Sequence, residues 1–294
     1  MFVIAATAAA KTPNPIDDHA GVFKSSTRGV GGALTTLVAG EKRRAKRRLK
    51  RGGKIMSDKP NLKHNYGTID KDYGIFLATR PETEDGPIYM VNLMKYHEVA
   101  QYSDDASPSS KPISGREADD RYNPASILSR LGAAIVFAGD VVGNADGPED
   151  WDRIAVVRYP TRKSFIEMQS RKDFGEKHVH KAAGMKRTII VCCRPEDLSL
   201  DTRERPKPSD GQFLTMVVRR NIDNQTAFNA IPKAKNFLAE GTIIGDGRKW
   251  QTVQFANTST PDDYKKLVTS FAPQVASGDA YVIGIRASLN AITE

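Results

Sequence analysis

The chain has 294 residues, of which 39% are hydrophobic, and its formal net charge at pH 7 is +9. This length allows one or two domains with a packed core, and no hydrophobic run approaches the ~20 residues of a membrane-spanning helix. All of the net charge lies in residues 1–55, which hold 12 Lys and Arg against three Asp and Glu. The neutral remainder, residues 56–294, argues against a basic nucleic-acid groove in the folded part.

The first 55 residues are predicted to be a disordered basic leader outside the fold. They are rich in Ala, Gly, Thr, Lys and Arg and show no sustained apolar period. The basic run at residues 41–54 would bind nucleic acid or another polyanion. A second interpretation is that the leader is not translated, because Arg51-Gly52-Gly53-Lys54 before Met56 resembles a translated bacterial ribosome-binding site. Met56 is then the expected start.

An N-terminal arm is expected at residues 56–85, followed by a buried strand at 88–96. The strand comes directly after the turn signal Gly86-Pro87, and most of its residues are apolar. Side chains alternate along a strand, so one face carries an amide among sulfur and aromatic side chains: Met90, Asn92, Met94 and Tyr96. A buried amide without partners costs roughly 1–3 kcal/mol, so the fold must satisfy Asn92 or place it at a cavity.

Residues 86–200 are predicted to form one β-α-β-β-α-β unit, which is the ferredoxin-like arrangement. Helix starts are indicated by the capping residues Ser114, Asn123 and Thr161. The segment that carries two histidines before the last strand is also expected to be helical. The expected strands are 88–96, 134–142, 151–159 and 188–193.

The same order of elements is predicted again at residues 211–294, after a charged linker at 201–210. The expected elements are a strand at 213–219, a helix that carries Phe228, Ile231 and Leu238 and ends at Gly241, a hairpin of 242–244 with 250–255, a helix that starts at Thr260, and a strand at 280–287. Helices cover only one face of each sheet, so the two remaining apolar faces can pack together. The predicted fold class is α+β, with two tandem ferredoxin-like units that close an α/β barrel within one chain, as a pseudo-dimer.

Short motifs follow one another in order along residues 86–195. They are Met90-Val91-Asn92-Leu93-Met94-Lys95, Gly115-Arg116-Glu117, Arg121-Tyr122, Leu131-Gly132, Ala138-Gly139-Asp140, Gly147-Pro148, Trp151-Asp152, Tyr159-Pro160 and the segment from His178 to Arg187. This series resembles the domain-of-unknown-function-1330 family of the dimeric α/β-barrel superfamily, with Lys181 where relatives often carry Arg. The resemblance implies a ferredoxin-like fold and barrel pairing, but no reaction. Relatives in the superfamily include cofactor-free monooxygenases, isomerases and cyclases, an analogy of fold alone.

The sequence contains no motif for a phosphate loop, a zinc protease or a nucleophile elbow, and we predict no metal and no cofactor. Cys192 and Cys193 are adjacent, and neighbours on a strand point to opposite faces, so both are expected to be reduced core residues in a cytoplasmic protein. On a helix His178 and His180 are separated by about 200°, which prevents joint chelation of a metal from one face.

The predicted catalytic residues are Asn92, Tyr159 and His178, placed around a cavity inside the barrel. His178 would act as general base, Asn92 would hold a carbonyl or enolate oxygen, and Tyr159 would donate a hydrogen bond. Further ligand contacts are predicted for five side chains: Met90, Met94, Tyr96, Trp151 and His180. The competing interpretation is that Trp151, Tyr159 and Trp250 belong to the core or the cavity wall, and that one histidine is structural and the other on the surface.

The predicted function is binding of an apolar or aromatic small molecule, with cofactor-free catalysis of the isomerase, cyclase or monooxygenase type. The alternative from a different class is a non-catalytic ligand-binding or assembly module. A homo-oligomer is left open and no membrane partner is expected. Nucleic acid is a partner only through the basic run at 41–54.

Overall fold

The computed structural model describes residues 63–64, 66–103, 111–145, 149–197, 201, 209 and 211–293. The predicted leader, the start at Met56 and most of the linker at 201–210 lie outside these residues. Within them are the strands β1 Lys63–His64, β2 Gly67–Ile69, β3 Ile88–Tyr96, β4 Ala134–Asn144, β5 Arg153–Tyr159, β6 Met185–Pro195, β7 Phe213–Arg219, β8 Lys235–Gly245, β9 Thr252–Asn257 and β10 Ala280–Asn290. The helices are α1 Lys71–Thr79, α2 Gly115–Tyr122, α3 Ala125–Arg130, α4 Arg162–Ser170, α5 Lys172–Gly184, α6 Asn224–Asn229 and α7 Pro261–Ala276.

Strands β3 to β10 form a closed antiparallel barrel. Their order is β8-β6-β3-β5-β4-β10-β7-β9, and a further pairing of β9 with β8 closes the ring. The short strands β1 and β2 extend the sheet from the end of β8. The predicted α+β barrel is confirmed by this closure, which removes every free edge among the eight barrel strands.

The two halves of the barrel have the same strand order. The first half runs β6-β3-β5-β4 and the second runs β10-β7-β9-β8, so each half places its first strand between its third and fourth. The halves join where β6 pairs with β8 and where β4 pairs with β10. The unit boundaries proposed from the sequence, at 86–200 and 211–294, stay predictions.

The barrel interior is a packed core of aromatic and aliphatic side chains. Tyr89, Val91 and Leu93 reach it from β3. The ring centroids of Tyr89 and Phe237 are 5.2 Å apart, and those of Phe237 and Phe255 are 6.0 Å apart. Buried side chains from both halves therefore fill the place where the ligand cavity was expected.

Three helices start at capping residues that the sequence indicated, whereas the N-cap predicted at Asn123 is wrong, because Pro124 is the N-cap of α3 and makes no side-chain capping hydrogen bond. The hydroxyls of Ser114, Thr161 and Thr260 each accept a hydrogen bond from the backbone N–H three residues later. Each cap satisfies one of the four N–H groups that a helix leaves unpaired at its start. None of the helices in the described part combines the length and the hydropathy that crossing a bilayer requires.

The second half contains the main error in the predicted elements. The helix expected to carry Leu238 is wrong, because α6 ends at Asn229 and β8 begins at Lys235. Pro232 removes a backbone donor and clashes with a preceding turn, which stops a helix at this point. Downstream, β8 gains strand pairing on both sides, with β6 and β9, and places Phe237 in the barrel core. Pairing and burial thus outweigh the apolar helical spacing.

The N-terminal arm is held against the barrel by a buried ion cluster. Tyr73 of α1 donates a hydrogen bond of 3.0 Å to Glu240 of β8. Arg162 of α4 pairs with the same carboxylate and, at 3.1 Å, with Asp85. A Cβ at Gly241 would lie 2.4 Å from the Tyr73 ring, so glycine is required here for close approach rather than as a helix stop.

The adjacent cysteines are both free and buried, as predicted. Cys193 packs in the barrel core, whereas Cys192 belongs to the cluster beneath the helices. Burial raises the pKa of Cys192 to about 12, which keeps the thiol protonated and unreactive.

Candidate functional site

The face of β3 that carries Asn92 is turned away from the barrel interior. Met90 packs in a cluster with side chains of α1, α4 and α5, while Met94 and Tyr96 pack against Tyr66 of the N-terminal arm. The expectation that this face points into the barrel is therefore wrong. Both faces of a barrel strand beneath helices are apolar, so alternation separates two faces without showing which one is inside.

Asn92 is satisfied by the protein itself. Its amide nitrogen donates to the carbonyl of Met90 at 2.9 Å and to that of Ala155 at 3.4 Å. Its amide oxygen accepts a hydrogen bond from Lys181 Nζ at 3.4 Å. Because both N–H groups already point to carbonyls, Asn92 has no donor left for a ligand oxygen, and its side chain instead positions the lysine.

Lys181, on α5, places its amino end against Asn92 and an aromatic face. The nitrogen lies 5.4 Å from the centroid of the Tyr122 ring. No ion pair to Lys181 occurs among the described residues. Burial lowers the pKa of the ammonium, and the charge of Asp119 offsets this only in part. A lysine in such surroundings can bind a ligand oxygen as a cation or release a proton more readily than a solvated one.

His178 lies one helical turn before Lys181, so the two side chains share one side of α5. Its Nε2 is hydrogen-bonded to the hydroxyl of Tyr66 at 2.8 Å. Aromatic rings surround the imidazole: the centroid distances are 5.3 Å to Phe174, 6.1 Å to Tyr66 and 6.3 Å to Tyr122. We call the group Asn92, Lys181, His178, Tyr122 and Tyr66 the first-half layer.

A second series of polar contacts between side chains lies beside the first-half layer, at the end of β3. Tyr96 donates a hydrogen bond of 2.7 Å from its hydroxyl to Asp119 of α2. Arg153, the first residue of β5, pairs with Asp119 at 3.6 Å and with Asp120 at 3.0 Å. The charge of this arginine is therefore balanced by two carboxylates, neither of which forms an ion pair with Lys181.

Tyr159 lies on the same side of the sheet but at the other end of β5. In the strand register Tyr159 is opposite Ile88, whereas Ala155 is opposite Asn92. Four residues along a strand correspond to about 13 Å. The Tyr159 hydroxyl donates to the sulfur of Met168 at 3.1 Å. Of the three predicted catalytic residues, the structure thus brings Asn92 and His178 into one layer and sets Tyr159 apart.

Two predicted ligand contacts lie elsewhere. Trp151 is in the barrel core, with its ring 5.7 Å from that of Tyr281. The cleft at that barrel end, which Trp151 lines, encloses about 10 Å³, room for roughly one water molecule. His180 is on the opposite side of α5 from His178 and is hydrogen-bonded to Tyr102 at 2.8 Å.

Three members of the first-half layer were missed as site residues: Lys181, Tyr122 and Tyr66. The spacing of three residues between His178 and Lys181 on a predicted helix was a usable signal, because it places both side chains on one face. For Tyr66 no signal existed, since its contact with His178 spans 112 residues. Within the described part, no group of three or more His, Cys, Asp or Glu side chains could hold a metal ion.

No family model and no curated protein matches the chain. Solved structures show local likeness. A protein of unknown function from Rhodopseudomonas palustris is 25% identical over 46% of this chain and 99% of its own, with a TM-score of 0.38. An anthrone oxidase-like protein is 8% identical over 72% of this chain and 96% of its own, with a TM-score of 0.41. A heme-binding protein from Thermus thermophilus is 14% identical over 69% of this chain and 91% of its own, with a TM-score of 0.35. These similarities are too low to transfer an activity.

Proposed function

We propose that the first-half layer binds a small aromatic or apolar molecule through a carbonyl oxygen, and that it catalyses proton transfer next to that carbonyl without a bound cofactor. The observation that carries this proposal is Lys181, a cation whose amino end is buried against an amide oxygen at 3.4 Å and has no ion pair among the described residues. A buried ionisable group with a perturbed pKa and no counter-ion is more common at functional sites than elsewhere.

The surroundings of Lys181 define the ligand. The phenol ring of Tyr66 is buried beside His178, with its oxygen on the imidazole. This place therefore accepts an aromatic ring that carries an oxygen substituent. An aromatic ketone also combines a ring with an oxygen-bearing substituent, although its acyl group is larger than a hydroxyl, and it would take this place only if the Tyr66 ring moved out of it. Its oxygen would then lie near the imidazole and the ammonium.

The roles of the residues follow from their bonding. Lys181 would stabilise the negative charge that develops on the carbonyl oxygen as an enolate forms. His178 would accept the proton from the neighbouring carbon and return it. Asn92 is a positioning residue, because its oxygen holds the lysine. Of the reaction classes in the superfamily that the sequence resembles, isomerisation fits best, because acid and base groups are sufficient for it.

The experiment uses acetophenone as the probe, with deuterium uptake at its methyl group followed by NMR. We expect the full chain to accelerate uptake, and Lys181→Met to lose about 10² or more of that acceleration, the typical worth of one electrostatic contact to a developing oxyanion. Lys172→Met, an exposed lysine on the same helix, is the matched control and should behave as wild type. His178→Gln should lose uptake but retain binding in a saturation-transfer NMR measurement.

The outcome separates the two functional classes. Binding that depends on Lys181 without uptake above the solvent rate would support the non-catalytic ligand-binding module. Equal behaviour of Lys181→Met and Lys172→Met would refute the site itself. Nucleic-acid binding through residues 41–54, a homo-oligomer and a cytoplasmic location stay predictions.

A further inference from the structure

The described part of the chain contains three buried arginines, and one of them differs from the others in its partners. Arg158 forms a two-point ion pair with Asp201, at 2.6 and 2.7 Å. Arg162 pairs with Asp85 and Glu240. Arg219, at the end of β7, is 1% exposed and has no carboxylate partner within the described ranges. An uncompensated buried charge costs several kcal/mol, which a protein avoids unless something balances it.

Neutral groups surround the Arg219 guanidinium. One terminal nitrogen donates to the carbonyl of Ala227 and to the side-chain oxygen of Gln254. The ring of Phe271, on α7, lies 4.7 Å from the guanidinium carbon. The pKa of Arg219 is lowered by burial, and no charged neighbour in the described ranges opposes this effect. The guanidinium still remains protonated, because an arginine does not lose its proton in a protein.

Two hydrogen-bond donors beside this charge have no partner among the described residues. Arg219 Nε and the hydroxyl of Thr252 are both buried and unbonded there. Arg219 and Thr252 are direct partners in the register of β7 and β9. Directly opposite residues of an antiparallel pair share one face of the sheet, with Cβ atoms about 5 Å apart. Both donors therefore lie on the helix-covered face of the second half, beneath Phe271.

We propose that Arg219 and Thr252 form a binding site for a small monocarboxylate on the outer face of the second half. One carboxylate oxygen accepts from Arg219 Nε, and the Thr252 hydroxyl donates to the carboxylate. The site has one positive charge and otherwise neutral walls, so a monoanion balances it, whereas a dianion such as hydrogen phosphate would bury a second, unpaired charge. Phe271 covers the guanidinium and favours a ligand with a short apolar tail.

The test is titration calorimetry of the full chain with formate, acetate and propionate. Each carboxylate replaces an equal amount of chloride, so that the ionic strength stays constant. We expect saturable binding of at least one of them and no competition from phosphate. Arg219→Gln should weaken that binding at least about tenfold, since a hydrogen bond to a charged group is typically worth 1.5–3 kcal/mol. Thr252→Val, which keeps the shape of the side chain, should weaken it about threefold to tenfold.

Arg220→Gln is the matched control, because Arg220 is the next residue and pairs with Asp279 at 2.9 Å. It should bind the carboxylate as wild type does. The proposal is overturned if none of the three carboxylates binds, or if Arg219→Gln or Thr252→Val binds as tightly as wild type. Thr252→Val decides the question alone if Arg219→Gln does not fold.

Discussion

The two halves of the barrel have the same strand order, but the cations on their outer faces have different partners. Arg153 opens β5 and pairs with two aspartates of α2. Thr252 opens β9, the matching strand, and the neighbouring cation Arg219 has no acid against it within the described ranges. In the first half Lys181, on α5, has no ion pair among the described residues, and the charge of Asp119 offsets the effect of its burial only in part. The same topology therefore carries two chemically distinct sets of side chains, the first-half layer and the pair Arg219 and Thr252. The side chains, and not the strand order, set the chemistry.

The helices explain much of the difference. In the first half α2 supplies Asp119 and Asp120, and α5 supplies His178 and Lys181. In the second half α6 is only six residues long, and Ala227 meets Arg219 with a backbone carbonyl instead of a carboxylate. No histidine is present in residues 211–294. The imidazole of His178 therefore has no counterpart in the second half, where Arg219 is a fixed charge that can bind an anion but does not exchange a proton.

The largest expected effect separates compensated from uncompensated arginines. Arg162→Met leaves Asp85 and Glu240 without their cation and should lower the free energy of unfolding by about 3–5 kcal/mol. Arg219→Met removes an unbalanced buried charge, which is stabilising, but it also leaves the carbonyl of Ala227 and the side-chain oxygen of Gln254 without their donor. The two effects oppose each other, so the net change should be no more than about 1 kcal/mol. Urea unfolding followed by circular dichroism measures both variants. Equal losses would show that Arg219 is compensated after all.

A second prediction concerns the pH dependence of the first-half layer. Burial lowers the pKa of Lys181 in the folded state, so between that pKa and the ordinary value near 10.4 the unfolded chain binds more protons. The stability of the wild type should therefore rise with pH in this window, by at most about 1.4 kcal/mol per pH unit.

Lys181→Met lacks this contribution, so it should be more stable than wild type at neutral pH and lose that advantage toward pH 10. Thermal melts of both proteins across this pH range provide the measurement. An advantage that does not change with pH would mean that the lysine keeps its ordinary pKa. Lys172→Met again serves as the control on the same helix.

The smallest expected effect tests the contact between the N-terminal arm and the site. Tyr66→Phe keeps the ring but removes the hydroxyl bonded to His178, and it should cost about 1 kcal/mol of stability. The same change should leave carboxylate binding at Arg219 unaltered, because Tyr66 packs against the first half. Chemical unfolding and calorimetry measure the two quantities. A loss of carboxylate affinity in this variant would show that the first-half layer and the Arg219 site are coupled.

Much of the fold could be predicted from local patterns. An apolar run after Gly86-Pro87 located β3, alternating apolar residues located β5, and capping hydroxyls located the starts of α2, α4 and α7. The element order β-α-β-β-α-β, read twice, was enough to predict an α+β barrel. The failure at Leu238 has a physical cause, because its neighbours form strand pairs with residues that are distant in the sequence.

The candidate site was less accessible from the sequence. Asn92 was identified as an amide on an apolar strand face and His178 as a histidine on a predicted helix, and both belong to the first-half layer. Lys181 was noted only as a departure from a family pattern, although its spacing of three residues from His178 was a usable signal, and the lack of an ion pair to it depends on distances in space. Tyr159 was chosen for its strand and its face, but the register places it four residues from the level of Asn92.

By itself the sequence determined most of the barrel strands and the starts of α2, α4 and α7, because hydrophobic period and capping act over a few residues. Tertiary structure alone decided which face of β3 points outward, since both faces are apolar and only the closure of the barrel distinguishes them. It also decided which cations are compensated. Arg162 meets Glu240 across 78 residues, whereas Arg219 meets no carboxylate in the described part of the chain. Charge balance of this kind depends on distances in space, which local sequence does not contain.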